Sequence, residues 1–317
     1  MAQHEPKHYL VTGGAGFIGS HLVDTLLRDG HHVRVVDNFA TGKRENLAHV
    51  ADQIDLREVS ITDLDAMHDA MQGIEYVFHV AALPSVPRSV DDPIGSNDNN
   101  VNGTLNVLVA ARDAGVKRVV YSASSSAYGD VDAEFKEEEM KPRPLSPYAV
   151  AKLAGEYYCQ AFANVYDLEA VGIRYFNVFG PRQDPLSPYA AVIPKFITAM
   201  LDDQPPRVEG DGLQSRDFTY IDNVVHGNLL AMHTDGVSGE VFNVACGGRI
   251  NLLDMIAVLN KIMGKSIEPV HVDPRPGDVR HSRAAIDKAR ELLDYDVIVS
   301  FEEGLARTLA WYENGAV

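Results

Sequence analysis

A tyrosine and a lysine stand four residues apart immediately after a helix start signal. Ser146 is a favourable N-cap and Pro147 a favourable first helical residue, so Tyr148 and Lys152 are predicted to share one helix face. A phenol with a free pKa of about 10 is a poor base at neutral pH, but a neighbouring ammonium favours the phenolate. The pair could therefore remove a proton from a substrate. A core tyrosine beside an ion pair between Lys152 and Glu156 would explain the same pattern.

A glycine-rich segment joins the first predicted strand to the first predicted helix. Its glycines fall three residues apart, at Gly13, Gly16 and Gly19. This spacing lets backbone amides approach a pyrophosphate at the positive end of the helix. The next strand ends at Asp37, whose carboxylate can accept hydrogen bonds from two ribose hydroxyls and would repel a 2′-phosphate. The segment therefore predicts a dinucleotide site that favours NAD over NADP.

Short apolar strands alternate with helical segments in the first half of the chain. Strands are predicted at His8–Thr12, His32–Asp37, Tyr76–Ala81, Lys117–Ser122 and Glu169–Arg174, and helices at Phe17–Arg28, at about Ile94–Ala114 and from Ser146. This order predicts an α/β fold with a doubly wound parallel sheet of the Rossmann type. The looser, Pro- and Gly-punctuated remainder predicts a smaller C-terminal α/β lobe at the carboxyl edge of the sheet. We expect an NAD-binding domain from residues 1–175 with parts of 220–245, and a mainly substrate-binding lobe from 176–317.

The overall charge limits the classes of partner. Lys and Arg total 28 against 45 Asp and Glu, a formal net charge of −17, which disfavours nucleic acid and anionic membranes. No apolar run approaches the roughly 20 residues of a membrane-spanning helix. The 12 histidines show no metal-ligand spacing, and Cys159 and Cys246 are too far apart for a metal or redox motif. We therefore predict no metal site and a cytoplasmic location.

Seven motifs in the same order resemble the extended short-chain dehydrogenase/reductase family, in particular its nucleotide-sugar 4-epimerases. They are Thr12–Gly19, His79–Ala82, Asn99–Thr104, Ser122–Gly129, Tyr148–Lys152, Arg174–Gly180 and Ser215–Phe218. The resemblance extends over nearly the whole chain and implies NAD as cofactor and a UDP-sugar as substrate. It also implies a homodimer that pairs through the helices at about Ile94–Ala114 and Ser146–Tyr166.

The resemblance implies a base, its supporting residues and a cofactor site. Tyr148 takes a proton from a sugar hydroxyl, Lys152 and the positive nicotinamide favour its phenolate, and Ser124 orients that hydroxyl. Hydride passes from C4 to NAD⁺, and the 4-keto intermediate turns before hydride returns to its other face. The expected NAD contacts are Gly13, Gly16, Phe17, Ile18, Gly19, Asp37, Asn38, Ser60, Ile61, Ala81, Ala82, Asn99, Tyr148, Lys152 and Tyr175. Ser60 replaces an acidic residue of many relatives, so a weaker contact with the adenine is expected.

The resemblance also implies a substrate site in the second half of the chain. The expected contacts are Ser124, Ser125, Ser126, Tyr148, Asn177, Ala191, Val192, Arg216, Arg275, Asp278 and Ser282. Arg216 and Arg275 match positions that hold the diphosphate, as bidentate guanidinium groups do well. Asn177 matches an asparagine that bonds the substrate phosphate, and Asp278 matches a residue that bonds the uridine ribose.

Small side chains at three places bear on the reaction and the sugar. The stretch Ser124–Tyr128 lacks the carboxylate that dehydrating or decarboxylating relatives carry, which favours oxidation and return. Ser282 stands where a bulky aromatic restricts some epimerases to unacetylated sugars, and Ala191 stands where some relatives have a larger amide. Both favour UDP-N-acetylglucosamine, alongside UDP-glucose, although a small residue permits an acetamido group without requiring it.

Other functions remain compatible with these motifs. One is a UDP-glucuronate or UDP-GlcNAc-uronate 4-epimerase, which has a related site. A net nucleotide-sugar dehydrogenase or reductase would need an exchangeable cofactor. A non-catalytic NAD-binding sensor is a third alternative, but sensors of this kind typically lose the tyrosine–lysine pair, which is present here as Tyr148 and Lys152.

Overall fold

The computed structural model describes residues 5–131, 133–185, 190–274 and 280–314. The strands are β1 His8–Thr12, β2 His32–Val36, β3 Ile54–Arg57, β4 Tyr76–His79, β5 Arg118–Ser124, β6 Glu169–Tyr175, β7 Val178–Phe179, β8 Arg207–Glu209, β9 Ser215–Arg216, β10 Thr219–Tyr220, β11 Val241–Val244, β12 Ile250–Asn251, β13 Val270–Val272 and β14 His281–Ser282. The α-helices are α1 Phe17–Arg28, α2 Leu64–Met71, α3 Val86–Asp91, α4 Pro93–Asn97, α5 Gly103–Asp113, α6 Pro147–Val165, α7 Val192–Leu201, α8 Ile221–His233, α9 Leu252–Met263, α10 Asp287–Leu293 and α11 Phe301–Glu313. Two 3₁₀ segments, Arg44–Val50 and Ser125–Tyr128, and one π-helical turn, Asp98–Asn102, complete the set.

Seven parallel strands form the main sheet, in the order β11-β6-β5-β4-β1-β2-β3. The chain winds outward from β1 in one direction and from β4 in the other. Thr12, at the end of β1, lies opposite both Val36 of β2 and His79 of β4. The order reverses between β1 and β4, and sheets of this kind bind ligands outside the carboxyl ends at that point. The predicted doubly wound fold is confirmed.

Helices cover both faces of this sheet, which explains why the middle residues of its central strands are mostly apolar. Tyr9 and Val11 belong to a core cluster on the side of α1 and α8, whereas Leu10 packs with residues of α2 and α5 on the other side. In β5 the first six residues are buried and only the last, Ser124, is partly exposed. Strand β5 therefore exposes a polar side chain at its carboxyl end, beside the switch point.

The predicted helix at about Ile94–Ala114 is interrupted by the π-helical turn. Within that turn the Asn100 side chain accepts a hydrogen bond from the Leu83 amide at 2.8 Å and donates one to the Leu83 carbonyl at 3.1 Å. These two hydrogen bonds with Leu83, in the loop after β4, give a physical reason for the local change from α-helical to π-helical geometry. Two strand ends differ from the sequence prediction by two residues, because β4 stops at His79 and β5 continues to Ser124, and three others differ by one residue.

The shorter elements after β6 form the predicted smaller lobe. They make three small sheets, β7 with β10, β8 with β13, and β9 between β12 and β14. The chain also returns to the main sheet, because β11 pairs with β6 and α8 packs against α1. Within the described ranges, every helix is too short or too polar to cross a lipid bilayer.

Candidate active site

The glycine loop, which joins β1 to α1 and contains Gly13, Gly16 and Gly19, fits between the loop after β4 and helix α1 only because these glycines lack side chains. A methyl group on Gly19 would lie 2.1 Å from the carbonyl oxygen of Gly13. Gly13 itself has a φ of 69°, and a methyl group there would lie 2.8 Å from the Ala81 backbone nitrogen. Helix α1 has no side-chain cap at Gly16, so no side chain occupies the amides of its first turn. The loop can therefore bring a diphosphate against the positive end of α1.

Asp37 follows β2 and is tied to the glycine loop. Its carboxylate accepts hydrogen bonds from the amides of Ala15 at 2.9 Å and Phe39 at 2.8 Å. Burial raises the pKa of Asp37, while these two amides lower it. The carbonyl of Ala15 in turn accepts hydrogen bonds from the Lys43 amide and the Asn46 side chain. The acidic group is thus fixed beside the loop, as a ribose-binding carboxylate must be.

A cavity of about 650 Å³ runs along this edge of the sheet. Most of the residues predicted to contact NAD line it, namely Gly13, Gly16, Phe17, Ile18, Gly19, Asp37, Asn38, Ile61, Ala81, Ala82, Asn99, Tyr148, Lys152 and Tyr175. Ser60 is not in this wall, because its hydroxyl bonds the Thr62 hydroxyl at 2.8 Å while the neighbours Val59 and Ile61 face the cavity. The cavity wall thus brings together the glycine loop, the acidic residue and the tyrosine–lysine pair.

Sequence reasoning missed several residues of this wall. They include Phe39, Ala40, Thr41, Gly42, Lys43, Asn46, Arg88, Arg182 and Asp184. Lys43 and Asp184 form an ion pair at 3.3 Å, and both line the cavity. The segment after Asp37 could have been inferred, because it leaves the carboxyl end of a strand beside the switch point. The loop that carries Arg182 and Asp184 offers no such signal.

Helix α6 begins as predicted, with Tyr148 partly exposed and Lys152 buried. The Ser146 hydroxyl accepts a hydrogen bond from the Ala149 amide at 3.1 Å. Lys152 is buried and donates a hydrogen bond from Nζ to the Ser122 carbonyl at 2.8 Å. Its Nζ lies 6.0 Å from the centroid of the Tyr148 ring. The end of β5 therefore holds the ammonium of Lys152 one turn behind the phenol.

The acid–base properties of the pair differ from the sequence expectation. Burial raises the pKa of Tyr148 to about 12, and a hydrogen bond with Ser124 opposes this rise. Burial lowers the pKa of Lys152 to about 8, against the opposing charge of Glu156. The phenol of Tyr148 is thus neutral at pH 7 in the protein alone. A cation at the nicotinamide position would be needed to lower its pKa further.

The serine run caps the end of β5 and lies beside Tyr148. The Ser124 hydroxyl accepts hydrogen bonds from the Ser126 amide at 3.2 Å and the Ser126 hydroxyl at 2.9 Å, so it caps the 3₁₀ segment. It also bonds the Tyr148 hydroxyl. Ser125 and Ser126 are partly exposed at the start of that segment. A hydroxyl of a ligand placed at Tyr148 would therefore also be near Ser124.

Glu156 does not form the ion pair with Lys152 that the simplest interpretation of the helix predicted. Its two carboxylate oxygens accept hydrogen bonds from Arg174, from Nε at 2.9 Å and from a terminal nitrogen at 2.7 Å. Both side chains are buried. The partner of Glu156 thus comes from the adjacent strand β6 and not from its own helix.

A second cavity, of about 930 Å³, lies in the smaller lobe. Of the residues predicted to contact the substrate, Asn177, Ala191, Val192 and Arg216 line it, whereas Ser124, Ser125, Ser126 and Ser282 do not. Arg275 and Asp278 lie outside the described residues. Lys195 and Arg207 add positive charge to the wall and Glu209 adds negative charge. The cavity thus concentrates cations in an acidic protein, as an anionic ligand requires.

A short segment connects the two cavities. Tyr175, the last residue of β6, lines the first cavity, and Asn177, two residues later, lines the second. Asn177 has a φ of 32° and donates a hydrogen bond to the Asp217 carbonyl at 3.1 Å. Ser282 lies opposite Arg216 where β14 pairs with β9. The chain therefore passes from the wall of the first cavity to the wall of the second within three residues.

The Asp217 carboxylate fastens this part of the lobe. It is fully buried and accepts hydrogen bonds from the amides of Cys246 at 3.0 Å and Ala284 at 3.2 Å. Burial raises the pKa of Asp217 to about 6, although these amides and those of Gly247 and Gly248 oppose the shift. The bonds hold β9, and with it Arg216, against the two neighbouring loops.

Comparisons with known proteins agree on a family. Residues 9–245 match the model of the NAD dependent epimerase/dehydratase family. UDP-glucose 4-epimerase of Mycolicibacterium smegmatis is 40% identical over 314 residues, which cover 96% of this chain and 98% of that protein. The structure of UDP-N-acetylglucosamine 4-epimerase from Methanobrevibacter ruminantium M1, in complex with UDP-N-acetylmuramic acid, is 38% identical, covers 98% of this chain and 100% of that chain, and has a TM-score of 0.94. UDP-glucuronic acid 4-epimerase from Bacillus cereus, in complex with UDP-glucuronic acid and NAD, is 34% identical with a TM-score of 0.89, and the match covers 97% of this chain and 99% of that one.

Proposed function

Because the chain belongs to the NAD-dependent epimerase/dehydratase family, we propose that it inverts C4 of a UDP-hexose reversibly and keeps NAD through the cycle. The substrates we propose are UDP-N-acetylglucosamine and UDP-N-acetylgalactosamine, and also UDP-glucose and UDP-galactose. The proposal rests on one observation. Tyr148, Lys152 and Tyr175 line the same cavity as the glycine loop and Asp37, so a base and a dinucleotide site adjoin.

The first cavity fits NAD in shape and in chemistry. The amides at the start of α1 suit its diphosphate, and the fixed carboxylate of Asp37 suits a ribose with both hydroxyls free. NAD, when bound, supplies the group that accepts a hydride from C4 and returns it. Glycines at positions 13 and 19 leave the loop backbone close to the cavity.

The side chains around Tyr148 have distinct parts in the proposed reaction. Tyr148 takes the proton of the 4-hydroxyl and later returns it, while the Ser124 hydroxyl, which bonds the phenol, holds that sugar hydroxyl in place. The ammonium of Lys152, fixed by the Ser122 carbonyl, favours the phenolate form. Arg216 and Asn177 hold the diphosphate in the second cavity, so the sugar can turn without leaving the site.

Small side chains support an acetylated sugar as the preferred substrate. Ala191 lines the second cavity and Ser282 lies beside Arg216 on the neighbouring strand, and neither fills space that an acetamido group needs. UDP-glucuronate is the second candidate substrate, because a relative named UDP-glucuronate 4-epimerase is 34% identical. Three adjacent hydroxyls, on Ser124, Ser125 and Ser126, could hydrogen-bond its carboxylate.

Product analysis of the purified protein tests the reaction. With UDP-N-acetylglucosamine and supplied NAD, we expect UDP-N-acetylgalactosamine to form without net accumulation of NADH. Accumulating NADH would instead indicate a dehydrogenase, and an inert protein with acetylated, unacetylated and uronic UDP-sugars alike would refute the proposal. The ratio of kcat/KM values among these three sugars measures the preference, since discrimination is such a ratio.

We also propose that two copies of the chain pair through α4, α5 and α6. Helices α4 and α6 pack side by side, and Ile94, Val150 and Tyr157 on them are 81%, 54% and 54% exposed. Burial of such side chains favours association. We therefore expect the protein to elute as a dimer on a calibrated column and Ile94→Asp to elute as a monomer. The control Ile298→Asp changes an isoleucine that is 55% exposed elsewhere and should stay dimeric; equal elution of both variants would contradict this interface.

Two further expectations from the sequence remain proposals. We propose that residues 1–175 with parts of 220–245 form the NAD-binding domain and that 176–317 form mainly the UDP-sugar lobe. The pairing of β11 with β6 supports the return of the chain to the first domain. Free thiols at Cys159 and Cys246 support a cytoplasmic location.

A further inference from the structure

A buried ion pair lies one helical turn beyond the active-site lysine. Glu156 follows Lys152 by four residues on α6, so the two side chains share a face of that helix. The Glu156 side chain is 2% exposed and that of Arg174 is 5% exposed. Both oxygens of Glu156 accept hydrogen bonds from Arg174 in a fork geometry, at 2.9 and 2.7 Å. This geometry requires the ionised carboxylate, so Glu156 contributes a negative charge inside the fold.

Other buried polar groups hold Arg174 in place. Its guanidinium lies 4.7 Å from the centroid of the Tyr128 ring and donates a hydrogen bond to the Glu138 carbonyl at 3.3 Å. The Tyr128 hydroxyl donates to the Asn243 side chain at 2.7 Å. The Glu138 carboxyl accepts a hydrogen bond from the Asn243 amide at 2.7 Å. Arg174 is thereby fixed between β5, β11 and the segment before α6, and it in turn fixes the carboxylate of Glu156.

The groups around Lys152 leave Glu156 as its charged neighbour. His79, the last residue of β4, is fully buried. Burial lowers its pKa to about 3, so its imidazole is neutral. Tyr121 and Cys159 are buried, and burial raises the pKa of each, so both are neutral as well. Tyr148 is neutral until it reacts. Of the effects that oppose burial and raise the pKa of Lys152, the charge of Glu156 is the largest, and Cys159 adds a smaller one.

We propose that Glu156 is a positioning residue of the reaction, whose fixed carboxylate keeps Lys152 protonated and directed at the site. This inference rests on the proposed function, since it concerns the support that Lys152 gives to Tyr148. Lys152 is anchored by one hydrogen bond to the Ser122 carbonyl, which a neutral amine would make less strongly. A buried ion pair is costly to form because both charges lose their water, so its presence does not by itself show that it stabilises the fold. Setting the charge of Lys152 gives the Glu156–Arg174 pair a function in the reaction.

The pH profile of kcat/KM tests this inference through Glu156→Gln. In the unaltered enzyme we expect kcat/KM to fall at high pH as Lys152, whose pKa is about 8, loses its proton. This fall is the alkaline limb of the profile. Removal of the neighbouring negative charge disfavours the ammonium, so we expect that limb to move to lower pH by about half a unit to one unit. A purely structural role would lower activity or stability without moving the limb.

Two further variants make the result decisive. Glu156→Gln leaves Arg174 buried without its partner, which could prevent folding, so Glu156→Gln/Arg174→Gln is measured beside it. We expect a smaller shift in the same direction in the double variant, because loss of the Arg174 guanidinium charge offsets part of the loss of the adjoining Glu156 charge. The control Glu169→Gln breaks the ion pair between Glu169 and Arg118. These two residues lie at the amino ends of β6 and β5, so the variant should leave the alkaline limb in place.

The outcomes separate this inference from the proposed function. A shift in the double variant with none in Glu169→Gln supports it, whether or not the single variant folds. An alkaline limb at its original pH in the folded double variant overturns it while the epimerase function stands. An unaltered enzyme that turns over none of the three UDP-sugars overturns the proposed function itself, before any variant is compared.

Discussion

Tyr148→Phe is expected to lower kcat for UDP-sugar epimerisation by about 10²–10⁴-fold, the range typical of a lost general base. The phenylalanine ring keeps the packing of the tyrosine on α6 and removes only the hydroxyl that bonds Ser124. Loss of that hydrogen bond costs about 0.5–1.5 kcal/mol of folding free energy. The variant should therefore still fold and bind NAD. Steady-state kinetics, thermal unfolding and NAD titration of the same preparation measure the three properties.

A second tyrosine provides the matched control for this experiment. Tyr295 is buried and donates a hydrogen bond to the Ala245 carbonyl at 2.9 Å, away from the first cavity. Tyr295→Phe should lose a comparable amount of stability while kcat stays near that of the unaltered enzyme. If Tyr148→Phe kept most of its turnover, or if both variants lost the same fraction, the assignment of Tyr148 as the base would be wrong.

Gly19→Ala is expected to disrupt both the fold and the cofactor site, because the added methyl group would lie 2.1 Å from the Gly13 carbonyl oxygen. Relief of this contact must displace the glycine loop from α1, and such overpacking costs about 1–3 kcal/mol. The displaced amides would also lose their alignment with a diphosphate. We expect NAD affinity to fall by at least about tenfold, which corresponds to about 1.4 kcal/mol. Urea unfolding and calorimetric titration with NAD measure the two effects.

Gly248→Ala is the control for that variant. A methyl group on Gly248 meets no heavy atom within 4 Å, so stability and NAD affinity should stay close to their original values. Unchanged NAD affinity in a folded Gly19→Ala protein would show that the loop after β1 does not hold the diphosphate.

Much of the sheet and of its cofactor edge could be predicted from the sequence. Strands buried on both faces appear as uninterrupted apolar runs, as in β1 and β5, and their alternation with helices implies parallel pairing. Glycine spacing, Asp37 and the Tyr148–Lys152 pair are local signals, because each depends on neighbours within one loop or one helical turn. The structure places all of them along one cavity.

Features that depend on distant contacts could not be predicted in this way. Arg174 and Glu156 are 18 residues apart and meet because β6 lies beside α6. The π-helical turn depends on the contact of Asn100 with Leu83, and the lobe is built from strands of two or three residues that have too few positions to show a period. The hydrogen bond between the Ser60 and Thr62 hydroxyls likewise gives no signal in the sequence.

The proposed cofactor and base residues and the proposed sugar contacts lie on different parts of the fold, which has an evolutionary consequence. The glycine loop, Asp37 and the reactive pair lie on the large sheet and its helices, whereas Ala191, Arg216 and Ser282 lie on α7, β9 and β14 or directly beside them. Under the proposed function, substitutions in the lobe alter the accepted sugar without changing the cofactor or the base. Duplicated genes could therefore diverge in substrate while one catalytic framework is inherited intact, and exchange of lobe segments between relatives is a direct route to enzymes with new sugar preferences.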